Sequence, residues 1–361
     1  DEFALLLPDA SQVEARLNAL QLTGRLPFDL GVGSAFVSFS AGIVLFPDKD
    51  LGDLSEDADT LLRQADHTLF RAKQELKGNW LYLDVEEKKA NRSRQLLLTD
   101  IRKGLENGQF RLFYQPKVNL RSGEVKGVEA LIRWDHPDKG LLAPAAFLPA
   151  IEYHPLMIEL GEWVLLEALT QMKAWDNQGI FLDIGVNIAA VQLLAPEFAE
   201  RLQDILARFP EQNPRRLDLE ILETATLGEL ERAVSVIVDC KRHGVTFSLD
   251  DFGTGYSSLS YLKQLPVNTL KIDREFVSGG GDTEENLSIL KGIIGLSRAF
   301  DRDLIAEGVE TIEQGEVLLS LGCDFAQGYG ISPPLAPDGL VEWFAQWKPF
   351  PQWTVTAALS R

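Results

Sequence analysis

Beyond residue 108 the chain alternates between short apolar runs and longer amphipathic stretches. The short runs are Phe110–Gln115, Val125–Trp134, Asp183–Ile188, Leu217–Leu222, Val245–Asp250, Thr269–Ile272, Asp303–Ala306 and Asp324–Gln327. Their brevity and apolar character predict strands. Apolar residues recur at helical spacing in the stretches between most of them, 160–177, 196–208, 226–243, 284–300, 311–321 and 336–347. Eight strands with intervening helices between residues 109 and 349 predict an α/β fold, a (β/α)8 TIM-like barrel. One connection breaks the rule. Only a few residues around Arg121-Ser122-Gly123-Glu124 join strands one and two, whereas a parallel crossover needs about a dozen or more. That junction predicts a hairpin, and so an antiparallel first strand.

The preceding residues have another pattern. Residues 1–85 read as a small α+β N-terminal fragment, with a strand at Phe3–Leu7 and a second strand region at Ala35–Phe46. Leu61, Leu62, Ala65, Leu69 and Ala72 predict a helix over Ala58–Gln74, and Gly78 is a plausible stop. Residues 86–108 are charged and then periodic at Leu96, Leu97, Ile101 and Leu105, which predicts a linker helix. Residues 350–361 form a C-terminal tail.

Composition narrows the functional classes. The 361 residues are 45% hydrophobic and 25% charged, an ordinary globular balance for two domains. No apolar run reaches the roughly 18 residues of a membrane span, and a cytoplasmic location is expected. The net charge of −19 argues against a DNA- or RNA-binding surface, which needs clustered Lys and Arg. A small nucleotide remains compatible, because metal ions and a few bases can reverse the sign of one pocket. Cys240 and Cys323 exclude a disulfide scaffold. Gly279-Gly280-Gly281 lacks a following Lys-Ser/Thr and reads as a loop.

Barrels of this kind place chemistry at the carboxyl ends of their strands. Those ends give Gln115, Glu129, Asn187, Glu220, Asp250 with Asp251, Lys271, Glu307 and Gln327. Carboxylates converging on one mouth repel one another and resist ionisation, a conflict that bound divalent cations resolve. Carboxylate and amide donors suit hard cations such as Mg²⁺ or Mn²⁺. His67, His136, His154 and His243 are scattered and show no zinc spacing. Adjacent Asp250 and Asp251 could serve two cations that clamp an in-line attack on phosphorus, with Lys271 beside the water.

An ordered series of motifs carries a resemblance. It runs Tyr114-Gln115-Pro116, Glu129-Ala130-Leu131-Ile132-Arg133-Trp134, Val186-Asn187-Ile188, Leu219-Glu220-Ile221-Leu222-Glu223, Asp250-Asp251-Phe252-Gly253-Thr254-Gly255, Leu270-Lys271-Ile272-Asp273, Ala306-Glu307-Gly308-Val309-Glu310 and Gln327-Gly328-Tyr329. In this order they resemble the EAL family of cyclic-di-GMP phosphodiesterases. The resemblance implies hydrolysis of cyclic di-GMP to linear pGpG with two Mg²⁺ or Mn²⁺ ions per site. Glu129, Asn187, Glu220 and Asp250 are then ligands of one ion; Asp250 bridges to a second that Asp251 and Glu307 complete. Lys271 lies against the nucleophilic water. Glu223 holds the Asp-Phe-Gly-Thr-Gly loop, Glu310 and Gln327 support the network, and Gln115, Leu131 and Arg133 contact substrate. A homodimer through Tyr256–Leu265 is also implied. Ala189 and Pro155 stand where the family often has Ser and Gly, and Gly330-Ile331-Ser332-Pro333 departs from a bulkier pattern; none of these removes a ligand.

The first fragment resembles the C-terminal part of a GGDEF diguanylate cyclase domain, through Asp1-Glu2-Phe3, Phe39-Ser40-Ala41-Gly42-Ile43 and Leu69-Phe70-Arg71-Ala72-Lys73. The rest of that motif lies outside the chain, so no cyclase site is expected from these residues. The natural chain is expected to begin upstream, where any membrane or sensor segment would lie. A catalytically silent cyclic-di-GMP receptor is the alternative to the hydrolase. A barrel that only mediates protein contacts is a third reading, disfavoured by the acidic rim. A complete ligand set favours the hydrolase over the receptor.

Overall fold

The computed structural model describes residues 3–24, 26, 28–29, 34–35, 37–46, 58–75, 78–83, 85–223, 229–253, 259–278 and 284–354. It divides into two compact units, Asp1–Leu96 and Leu97–Arg361. The second is a closed barrel of eight strands: β1 (Phe110–Asn119), β2 (Val125–His136), β3 (Asp183–Ile188), β4 (Leu217–Leu222), β5 (Thr246–Phe252), β6 (Thr269–Ile272), β7 (Asp303–Ala306) and β8 (Phe325–Ala326). From β2 through β8 the barrel neighbours are parallel. β1 runs antiparallel to both β2 and β8 and closes the ring.

The hairpin between β1 and β2 follows from its residues. Asn119 Oδ1 accepts from the backbone N–H groups of Arg121 and Ser122, each at 2.9 Å. Gly123 takes φ +74°, a left-handed conformation that glycine adopts without a Cβ penalty. The register sets Gln115 opposite Glu129. With a period of two, Gln115 and Lys117 share one face of β1, while Tyr114 and Val118 share the other. Tyr114 packs edge-on against Trp175, with centroids 4.7 Å apart.

The crossovers are α1 (Leu156–Asp176), α2 (Phe198–Ala207), α3 (Leu230–Arg242), the short α4 (Leu259–Gln264), α5 (Glu284–Ala299) and α6 (Ile312–Leu321), with α7 (Pro337–Gln346) after β8. On α1, Leu160, Val164, Leu165, Ala168, Leu169, Met172 and Trp175 form a buried stripe at helical spacing. Truncating Trp175 to Ala would cost about 3–5 kcal/mol. Helix α6 opens on a capping box between Thr311 and Gln314 and ends at Gly322, φ +85°. Residues after α7 fold back: Trp347 Nε1 donates to Gly123 O at 2.8 Å, and Trp353 Nε1 to Ile312 O at 2.9 Å. No helix among the described residues is long and apolar enough to cross a membrane.

In the first unit the expected helix is present at Ala58–Glu75. The expected strand at Phe3–Leu7 is not: these residues are irregular, with Phe3 and Leu6 at 90% and 97% exposure. An apolar run becomes a strand only when a neighbour takes up its backbone bonds, and no described strand pairs with it. The Ala35–Phe46 region splits. Ser34–Ala35 pairs antiparallel with Phe28–Asp29, and Ala41–Ile43 pairs parallel with Trp80–Tyr82. A helix at Val13–Gly24 and the Trp80–Tyr82 strand escape the periodicity reading. Val13, Leu17 and Ile43 anchor this unit's small core. Asp1, Glu2, Gly279-Gly280-Gly281 and Thr254–Ser258 lie outside the described residues.

Candidate active site

The carboxyl ends of the strands carry one connected cluster. Glu129 on β2, Glu220 on β4 and Asp250 on β5 are buried, each with an oxygen within 4.8 Å of the others. Asp250, Asp251 and Glu307, which directly follows β7, form a second such group. Lys271 on β6 is fully buried at the junction. Its Nζ lies 2.5 Å from Glu220 Oε2, 2.6 Å from Glu307 Oε1, 3.0 Å from Asp250 Oδ1 and 3.4 Å from Glu129 Oε2.

Amide groups set the orientation of Glu129. Asn187 Nδ2 on β3 donates to its Oε1 at 2.7 Å, and Gln327 Nε2 to its Oε2 at 2.5 Å. Gln327 Nε2 also lies 3.3 Å from Glu307 Oε1. The other amide atom, Gln327 Oε1, is buried with no hydrogen-bond partner. Such an orphan acceptor marks a place for a donor that the protein does not supply.

The pairing of β5 with β6 slips between Leu249 and Phe252, a bulge spanning Asp250 and Asp251. Bulges re-aim side chains beside functional sites. Asp251 takes φ +53°, and its backbone N–H donates to Asp250 Oδ1 at 3.1 Å. Just beyond, the N–H of Gly253 donates to Glu223 Oε2 at 2.9 Å, and Tyr261 Oη donates to the Glu223 carbonyl at 2.8 Å. Gly253 has φ +104°, and a Cβ there would fall 2.9 Å from the Phe276 ring.

The electrostatics match the geometry. Burial raises Glu129, but the ammonium groups of Lys271 and Lys117 and the bonds from Gln327 and Asn187 outweigh it and hold the carboxyl down to about 2. Burial is the main force on Glu220 and pushes it up to about 7, against the pull of Lys117 and Lys271. Burial, then repulsion from Asp250 and Asp273, pushes Asp251 up to about 7. Glu307 is raised mainly by burial. The acids surrounding Lys271 outweigh its burial and hold it charged.

Gln115 is buried, and its Nε2 donates to Ser332 O at 3.0 Å. Leu131 is half-buried opposite Phe113. Arg133 is half-buried, with its guanidinium 5.6 Å from the Phe113 ring and Nη1 bonded to Ile132 O. Glu310 is not brought into the cluster. It is exposed, and its N–H donates to Gln314 Oε1 at the start of α6. Of the segment expected at a dimer contact, Tyr256–Ser258 lie outside the described residues.

The sequence reading passed over two participants. Lys117 on β1 is 5% exposed and ion-pairs with Glu220 Oε1. Gly185 on β3 leaves the space for that pair, since a Cβ there would meet Glu220 Oε1 at 1.9 Å and Lys117 Nζ at 2.5 Å. The available signal was strand parity, since Lys117 is two residues from Gln115 and shares its face.

Comparison with known proteins follows the same lines. The family model described as the EAL domain matches residues 98–334. The chain belongs to the EAL family. It is 36% identical over 345 residues to the bifunctional diguanylate cyclase/cyclic di-GMP phosphodiesterase MucR of Pseudomonas aeruginosa, covering 94% of this chain and 49% of that protein. It is 33% identical over 350 residues to the cyclic di-GMP phosphodiesterase PdeR of Escherichia coli, covering 96% and 52%. The chain thus spans about half the length of these EAL relatives. Among solved structures, the PaMucR phosphodiesterase in complex with c-di-GMP shares 40% identity at a TM-score of 0.65, over 68% of this chain and 99% of that one. The FimX EAL domain from Pseudomonas aeruginosa bound to c-di-GMP shares 25% identity at 0.61, over 67% and 96%.

Proposed function

We propose that this EAL barrel is a divalent-cation-dependent phosphodiesterase that hydrolyses cyclic di-GMP to linear pGpG. One observation carries the reading: carboxylates from separate strands, Glu129, Glu220 and Asp250, then Asp250, Asp251 and Glu307, converge around a buried lysine. Similarity to MucR, PdeR and the PaMucR complex supplies the substrate. The all-oxygen donor set and the orphan Gln327 Oε1 fit hard cations with bound water. Glu129, Asn187, Glu220 and Asp250 would hold one Mg²⁺ or Mn²⁺, and Asp250, Asp251 and Glu307 a second. Such a pair, when bound, neutralises phosphoryl charge and makes water acidic enough to attack at neutral pH.

The chain's own groups do the rest. Water oxygen bonds to phosphorus as one P–O3′ bond breaks, and a proton ends on the departing 3′ oxygen. Lys271, closed off from solvent, orients the water and offsets negative charge building on the phosphate. Asn187 and Gln327 fix Glu129, and Glu223 fixes the backbone of Gly253 beyond Asp251. Arg133 pairs with a phosphate oxygen, and Gln115 and Leu131 line the substrate's approach. Incubation with cyclic di-GMP and Mg²⁺ or Mn²⁺, followed by ion-exchange chromatography, tests this. We expect pGpG, lost on adding EDTA. Cyclic di-GMP bound without product would overturn the hydrolase and leave the receptor.

A further inference from the structure

We infer that Lys117 is a positioning residue for cation binding, holding Glu220 as a ligand from beneath; this rests on the metal-dependent reading of the site. Glu220 is 1% exposed, and its two oxygens are divided between two lysines. Lys271 takes Oε2, on the side that faces Asp250 and Glu307. Lys117 takes Oε1. Nothing in the catalytic proposal uses Lys117, yet a lysine 5% exposed inside a barrel is costly to keep without a purpose. The pair also constrains a neighbouring strand. Gly185 is paired with Glu129 and Asp218 in the parallel ladder, and only the absence of its side chain leaves room for Glu220 Oε1 and Lys117 Nζ.

Without Lys117, a carboxylate sealed from water has one ammonium left, that of Lys271. The carboxylate then pivots about its bond to Lys271, and the oxygen that Lys117 held, Oε1, is no longer fixed where a cation needs it. Groups that orient a ligand in this way typically change metal affinity about 10–100-fold when removed. Charge alone has the opposite sign, because deleting a positive group draws cations in more tightly. The two effects are therefore separable by direction. Gly185→Ala separates them further, since it displaces the pair while leaving every charge in place.

The experiment is Mn²⁺ titration calorimetry on the full chain without substrate, for wild type, Lys117→Met and Gly185→Ala, with circular dichroism and thermal melts of the metal-free proteins. We expect at least tenfold weaker Mn²⁺ binding in both variants, with folded far-UV spectra and a lower metal-free melting temperature for Lys117→Met. Either folded variant is sufficient for the test. Mn²⁺ binding equal to or tighter than wild type in a folded variant overturns the positioning role, as does a drop in melting temperature with unchanged affinity. No Mn²⁺ binding by the wild-type chain overturns the metal-dependent reading and this inference with it.

Discussion

Asp250 is the residue on which both acidic groups depend, since it belongs to each. We expect Asp250→Ala to lower turnover by about 10²–10³-fold or more, while the melting temperature moves by less than about 5 °C; near-wild-type turnover would contradict a bridging role. Protonation supplies a second test. Glu220 and Asp251 are each raised to about 7, so both hold protons below neutrality and must lose them to bind a cation. Mn²⁺ affinity should therefore rise as pH increases through about 7, with release of protons visible by calorimetry in buffers of different ionisation enthalpy. In the metal-free chain the sign is reversed. A raised carboxyl binds more protons folded than unfolded, so these two groups favour folding less as pH climbs from about 4 to about 7. At this scale the clustered acids were readable because charge inside an apolar strand demands an explanation. Strand parity places Lys117 on the face of Gln115, but the role it shares with Gly185 lies in a contact across three strands, β1, β3 and β4. Glu310 was placed by motif alone, and the fold leaves it exposed.

At the level of elements, the β5 bulge and the residues after it do the most. Glu223 accepts the Gly253 N–H, so Glu223→Ala leaves that donor unanswered in a partly buried setting, at about 1–3 kcal/mol. We expect turnover to fall by about tenfold or more, because a misplacement of about 1 Å near the chemistry is enough to cost much of the rate. The opposite end of the barrel gives the control. Trp347→Phe removes the donor to Gly123 O and should cost about 0.5–1.5 kcal/mol in denaturant unfolding, with turnover intact. Barrel strands were legible as short apolar runs, buried on both faces as in Thr269–Ile272, and the helices by their period of 3.6. The Phe3–Leu7 error has the opposite cause: apolarity was present, but no partner strand was. The Val13–Gly24 helix was missed because its apolar residues, spread over Val13, Leu17, Leu20 and Leu22, include two that stay exposed.

For the molecule as a whole, the barrel unit contains its own core and every residue proposed to act. The fold class was readable because eight strands and a short first hairpin admit few closed arrangements. Ion chemistry tests the whole site at once. Ca²⁺ should compete for binding without supporting hydrolysis, since its longer and looser coordination misplaces water; full activity in Ca²⁺ would contradict a geometry tuned for smaller ions. The central claim is that acids and amides from separate strands hold two hard cations beside the scissile phosphate. Anomalous diffraction from crystals soaked in Mn²⁺ reads this most directly. We expect two peaks, one against Glu129, Asn187, Glu220 and Asp250 and the other against Asp250, Asp251 and Glu307. Manganese located elsewhere, or no peak at the barrel mouth in crystals of a chain that still cleaves cyclic di-GMP, would contradict it.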